Sequence, residues 1–84
     1  MNIEVVDLRL VNTDGKLKAL VSIKFAESLI VRGFSLVEGK RGMIVKLPSR
    51  LAKDGRWIET IAVDDFLKQA IEEKVLDTSK KEGA

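Results

Sequence analysis

Residues 16–25 read KLKALVSIKF, and this segment constrains the fold more than any other. Leu17, Ala19, Val21, Ile23 and Phe25 alternate with Lys16, Lys18, Ser22 and Lys24, and Leu20 is the lone exception. A two-residue period is the signature of a strand with one face buried and one wet. A slip of one residue would turn the lysine row into the core, so the pairing register is firmly specified. The chain has to build a sheet with one oily face, and it has 84 residues to do it with. That length makes one domain, which as a monomer buries roughly 60–65% of the surface of its unfolded chain. Domains this small often rely on a staple. With no Cys and no His, disulfides and the usual sulfur–imidazole zinc sites are excluded. Self-association is the remaining common device, so a homo-oligomer is expected.

The other segments supply partners for that strand. Residues 3–11, IEVVDLRLV, place Val6, Leu8 and Leu10 on one face and Asp7 and Arg9 on the other. The intervening NTDG, residues 12–15, is a hairpin turn. Residues 29–38, LIVRGFSLVE, are apolar on both faces, with Ile30, Phe34 and Leu36 on one and Leu29, Val31 and Val37 on the other. Two-sided strands are central or lie in an interface, and Gly33 within this one marks a bulge or a close backbone approach. GKRG, residues 39–42, is a turn with a basic tip, and MIVKL, residues 43–47, is a fourth strand ended by Pro48. SRLAKDG, residues 49–55, reads as a loop, and RWIETIAV, residues 56–63, as a short fifth strand.

The period then changes. Asp64 is placed to cap a helix and Asp65 to sit in its first turn. Phe66, Leu67, Ala70, Ile71, Lys74 and Val75 recur at helical spacing, which predicts about three turns. DTSKKEGA, residues 77–84, reads as a polar tail that frays. The expected architecture is α+β: a mostly antiparallel sheet of about five short strands with one C-terminal helix, a single domain over residues 1–76, and dimeric. No run approaches the ~18 apolar residues that span a bilayer. The opening MNIEVVDLRL has no basic region of the kind that begins a signal peptide, so no membrane association and a cytoplasmic location are expected.

The chemistry of catalysis is thinly represented. His, Cys and Tyr are absent, and with them the usual bases and activated thiols. Ser49 has no pattern that marks a nucleophile. The pairs Asp64–Asp65 and Glu72–Glu73 are sequence neighbours on a helix, whose side chains point apart. A non-catalytic protein with no cofactor and no metal is expected.

Charge is distributed unevenly. Residues 1–63 carry eleven bases against seven acids, whereas residues 64–84 carry four against six. Lys40, Arg41, Lys46, Arg50, Lys53 and Arg56 fall within seventeen residues that contain one acid, Asp54. A solvated sheet edge that resists aggregation explains Lys16, Lys18 and Lys24 well. It explains the second cluster less well, because those bases sit at turns and strand ends from which they can converge on one rim. Arginines fork onto phosphate oxygens and lysines add less directional attraction, so the rim suits the backbone of a nucleic acid. The same rim also suits an acidic protein partner. Trp57, beside Arg56, has the ring on which an unpaired base can stack, but a lone tryptophan at a strand start more often anchors a core or an interface. Leu29, Val31, Phe34 and Trp57 are therefore assigned to the dimer interface.

Three stretches carry a resemblance to a known family: VVDLRLVNTDGKLKALVSIKF at 5–25, LIVRGFSLVEGKRGMIVKLPSR at 29–50, and DG at 54–55. Together they resemble the stage V sporulation protein G (septation regulator) family of bacteria, over roughly residues 3–60. The resemblance implies a small homodimeric protein with a strand-rich body and a C-terminal helical part. It implies a regulator of sporulation, cell division or virulence that binds DNA or RNA. It points at the LPSR loop, with Ser49, Arg50 and Lys53, and at the segment leading into the helix. The aspartate and His-Pro pair typical of the family after DG are replaced here by ETIAVDD, residues 59–65, with neither His nor Pro. Residues 64–76 are acidic, which disfavours a helix laid into a DNA groove. The expected function is a nucleic-acid-binding regulator of sporulation and septation genes, contacting phosphate through Lys40, Arg41, Lys46, Ser49, Arg50, Lys53 and Arg56.

Overall fold

A computed structural model describes residues 2–11 and 14–83. Six strands precede one helix: β1 (Ile3–Leu10), β2 (Leu17–Phe25), β3 (Leu29–Gly39), β4 (Gly42–Lys46), β5 (Ser49–Leu51), β6 (Trp57–Glu59) and α1 (Asp65–Lys81). The first four form an antiparallel sheet in chain order, and β5 and β6 form a separate two-stranded hairpin. The α+β class and the antiparallel sheet are as expected. The strand count differs, because residues 49–51 of the expected loop pair with residues 57–59, in the first half of the expected fifth strand. Of the turn expected at residues 12–15, positions 12 and 13 lie outside the described residues.

The alternation in β2 is realised. Ala19, Val21, Ile23 and Phe25 are buried on the inner face, where Phe34 and Leu36 of β3, Val45 of β4, and Leu47 join them. The Phe25 and Phe34 rings lie 6.2 Å apart at 40°, a tilted contact within the favoured range for aromatic pairs.

Three irregularities break the pairing, one of them at Lys18 of β2, between Leu17 and Ala19, and the other two in the neighbouring strands. In β1 the register moves between Val5 and Asp7, so Val6 has no partner and Ile3, Val5 and Leu8 turn inward. Val6 and Leu10, expected on the core face, are exposed. In β3 the register moves where Val21 faces Phe34 and Ser22 faces Arg32, which leaves Gly33 as the extra residue with φ near +100°. Leu29 and Val31 therefore share the inner face with Phe34 and Leu36, whereas Ile30 points outward. A strict alternation reverses that grouping, because a bulge inverts the phase beyond it.

Helix α1 begins at the expected cap. The Asp64 carboxylate accepts from the Leu67 N–H at 2.8 Å, and Asp65 sits in the positive first turn. Ile71, Val75 and Ser79 are buried at four-residue steps, with Leu67 partly buried at the start of the same row. The helix touches both edge strands of the sheet, β1 and β4. Phe66 is 85% exposed, contrary to the stripe drawn from sequence spacing, because it lies one position off that row. The helix also runs to Lys81, through most of the segment expected to fray. Three features hold the extra turn. Ser79 is buried and donates to the Leu76 carbonyl at 2.9 Å, Lys81 pairs with Asp77 at 3.4 Å, and Lys80 and Lys81 lie at the negative end of the helix. Among the described residues no helix is long and apolar enough to cross a membrane.

Candidate nucleic-acid interface

The basic residues follow from how the chain turns after β3. Gly39 pairs with Gly42, which leaves Lys40 and Arg41 alone at the hairpin tip. Gly42 has φ near +128°, a conformation that side-chain-bearing residues rarely adopt. Strand β4 then carries the chain back to Lys46. Five residue steps of about 3.3 Å put Lys46 roughly 16 Å from Arg41, so the two ends of β4 hold separate groups of cations.

Beyond Lys46, Leu47 and Pro48 are buried and the chain enters the small hairpin. Its ladder pairs Ser49 with Glu59, Arg50 with Ile58 and Leu51 with Trp57. The Thr60 N–H and hydroxyl both donate to the Pro48 carbonyl, at 2.9 and 3.2 Å, and close the hairpin root. Successive residues face opposite sides, so Ser49, Leu51, Trp57 and Glu59 share one face and Arg50 and Ile58 the other. At the tip, Ala52 N–H donates to the Arg56 carbonyl at 2.8 Å and Gly55 N–H to the Ala52 carbonyl at 3.0 Å. The positive φ of Gly55, near 88°, permits that turn.

Arg56 departs from the expected rim. Its Nε donates to Asp54 Oδ2 at 2.7 Å and its backbone N–H to Asp54 Oδ1 at 3.1 Å. The one acid of the cluster is thus spent on Arg56. Lys40, Arg41, Lys46, Arg50 and Lys53 are exposed and, among the described residues, make no ion pair with a carboxylate of the chain. Lys46, Ser49 and Trp57 line a groove of about 320 Å³ together with Glu59 and Lys68. Lys68, near the start of α1, had no signal in the sequence, since it stands twenty-two positions beyond Lys46 on a separate element.

The residues assigned to a dimer interface separate into two kinds. Phe34 is 0% exposed in the core of its own subunit and has no surface to offer a partner. The reason is phase: Phe34 pairs with Val21 and shares the core face with Leu36. Leu29 is 59% and Trp57 70% exposed, and Val31 is half-buried. Strand β4 pairs with residues 35–39 of β3, so residues 29–34 have β2 on one side and, among the described residues, no strand on the other. Among the described residues no group of three or more acidic, Cys or His side chains could hold a metal ion.

The SpoVG family model matches residues 1–81, a span that covers both sheets and the helix. The chain belongs to the SpoVG family. It is 32% identical over 82 residues to a putative septation protein SpoVG of Clostridium perfringens (strain SM101 / Type A), covering 96% of this chain and 91% of that protein. It is 35% identical over 77 residues to a putative septation protein SpoVG of Staphylococcus saprophyticus, covering 90% of this chain and 76% of that protein. The SpoVG match extends past residue 60, where the quoted motifs end, to the last turn of α1. The helix is therefore an integral part of the family's fold, in keeping with its buried residues Ile71 and Val75.

Proposed function

We propose that this SpoVG-family chain is a nucleic-acid-binding regulator in the control of sporulation or septation genes, that it acts without catalysis, and that it works as a homodimer. What supports phosphate binding is the state of the cations. Arg50, Lys53 and Lys46 around the β5–β6 hairpin, with Lys40 and Arg41 at the far turn, are exposed and free of intramolecular acids among the described residues. A cation already paired gains little from a phosphate, whereas an unpaired one releases counterions on binding. Arg56 therefore contributes less than its neighbours. The names borne by the relatives support septation as the setting.

The homodimer draws support from the open half of β3. Exposed strand edges invite pairing, and Leu29 and Val31 border an apolar groove of about 380 Å³ completed by Phe25, Ile61, Val63 and Leu67. A second copy would cover both the edge and the groove.

The decisive experiment is a titration of labelled duplex DNA, single-stranded DNA and RNA at two or more salt concentrations. Affinity is expected to fall steeply as salt rises. An Arg50→Ala/Lys53→Ala double variant should weaken binding and lower the salt slope by about two. Salt-independent affinity, or an unchanged double variant, would refute the proposal, and nuclease-resistant capture of an acidic protein would replace nucleic acid as the ligand of these cations.

A further inference from the structure

Trp57 is the only tryptophan of the chain and is 70% exposed. It pairs across the hairpin with Leu51, itself 57% exposed, so the two leave an open apolar surface with a flat aromatic face for a ligand. Its surroundings say which kind. The groove it lines receives Lys46 from the end of β4 and Lys68 from α1, together with one carboxylate, Glu59, and the Ser49 hydroxyl. Neither lysine forms an ion pair within the chain among the described residues.

We infer that this groove holds an unpaired nucleobase stacked on Trp57, with Lys46 and Lys68 meeting the flanking phosphates, so that the preferred ligand is a single strand, DNA or RNA. The inference rests on the nucleic-acid reading above and sharpens it. Aromatic faces stack on every base, and single-strand sites combine such faces with cations that follow the backbone. A duplex offers no free base face to an exposed ring. Glu59 has an ordinary use in this arrangement, because a carboxylate accepts from the amino groups on base edges. Charge also argues against a second copy as the occupant. In an isologous contact the patch meets itself, which would gather four lysines against two glutamates around the buried rings.

The chain has no Tyr and one Trp, so its long-wavelength emission reports on Trp57 alone. A mixed-sequence twelve-nucleotide strand, as DNA and as RNA, and the matching DNA duplex would be titrated into the full chain. Label anisotropy and Trp57 emission would be followed together. The expected result is saturable quenching by the single strands that tracks the anisotropy, with less quenching by the duplex. Quenching by either strand supports the inference, and tighter RNA binding would add a 2′-hydroxyl contact. Trp57→Ala should weaken single-strand binding about 5- to 100-fold and duplex binding less than twofold, whereas Trp57→Phe should retain most of the affinity. Lys46→Ala/Lys68→Ala should weaken single-strand binding with quenching of the bound form preserved.

Failure here is distinguishable from failure of the wider reading. Single-strand binding without quenching, or an unaffected Trp57→Ala variant, overturns the stacking site and leaves the phosphate contacts of Arg50 and Lys53 standing. A blue-shifted emission in the free protein that moves to the red on dilution would show a second copy on Trp57, and also overturns it. Absence of binding to every nucleic acid at low salt removes both.

Discussion

Gly33 lies against Pro48: a Cβ added to the glycine would come 3.4 Å from the proline Cβ. The contact joins the bulge of β3 to the root of the β5–β6 hairpin, where the Pro48 carbonyl accepts both donors of Thr60. It therefore positions Ser49, Arg50 and Trp57 relative to the sheet. Gly33 also has φ near +100°, where a side chain strains the backbone whatever the space. Gly33→Ala should cost about 1–3 kcal/mol, seen as a lower urea midpoint with an unchanged slope. A midpoint within error of the wild type would mean that the bulge is not held as described.

Ile71 and Phe66 make opposite predictions on one helix. Ile71 is fully buried against the sheet and Phe66 is 85% exposed. Ile71→Ala should destabilise by about 2–5 kcal/mol. Phe66→Ala should change stability by less than about 0.5 kcal/mol, as exposed substitutions do. Equal thermal shifts for the two variants would contradict the helix orientation.

The sequence displayed whatever depends on unbroken periods. From Ala19 to Phe25 the apolar row of β2 is unbroken and buried as its alternation predicts, although Ser22 of the other row is buried as well. The cap at Asp64, the GKRG turn and the bulge at Gly33 were visible because each needs a particular residue chemistry. What the bulges did to the faces was not visible. A bulge in β1 falls at Val6, which has no glycine to announce it, and Gly33 marks the place in β3 without showing that residues 29–32 change face there. The end of α1 was hidden for another reason. Asp77, Thr78 and Ser79 have modest helix propensity, and tertiary burial of Ser79 overrides it. In the candidate site, the exposure and basic character of residues 46–53 were legible, whereas two features needed geometry. One is the capture of Arg56 by Asp54, and the other is the arrival of Lys68 from a distant element.

Asp64 tests how strongly the helix start is fixed. Its carboxylate satisfies the Leu67 N–H, one of the amides that a helix leaves without an internal partner. Asp64→Ala should cost about 1 kcal/mol. In a domain of this size that lowers the melting temperature by about 4–8 °C. Asp64→Ser should recover most of the loss, because its hydroxyl accepts the same hydrogen bond. If the serine variant melts with the alanine variant, the cap is not the source of the effect.

Asp54 restrains the charge of the hairpin tip. It holds Arg56 through two contacts, a 3.1 Å bond from the backbone N–H and a 2.7 Å ion pair from Nε. Both side chains are more than half exposed, so the pair itself adds little stability. Asp54→Asn keeps an oxygen for the backbone N–H, and with it the turn, but removes the charge that occupies the guanidinium. Arg56 then becomes one more free cation beside Arg50 and Lys53. Folding stability should change by less than about 1 kcal/mol, while nucleic-acid affinity at low salt rises and the salt slope steepens by about 0.9. Adding Arg56→Ala to Asp54→Asn should return the slope to that of the wild type, since the released cation is then gone. A slope that steepens equally with and without Arg56 would assign the effect to net charge alone and not to the freed guanidinium.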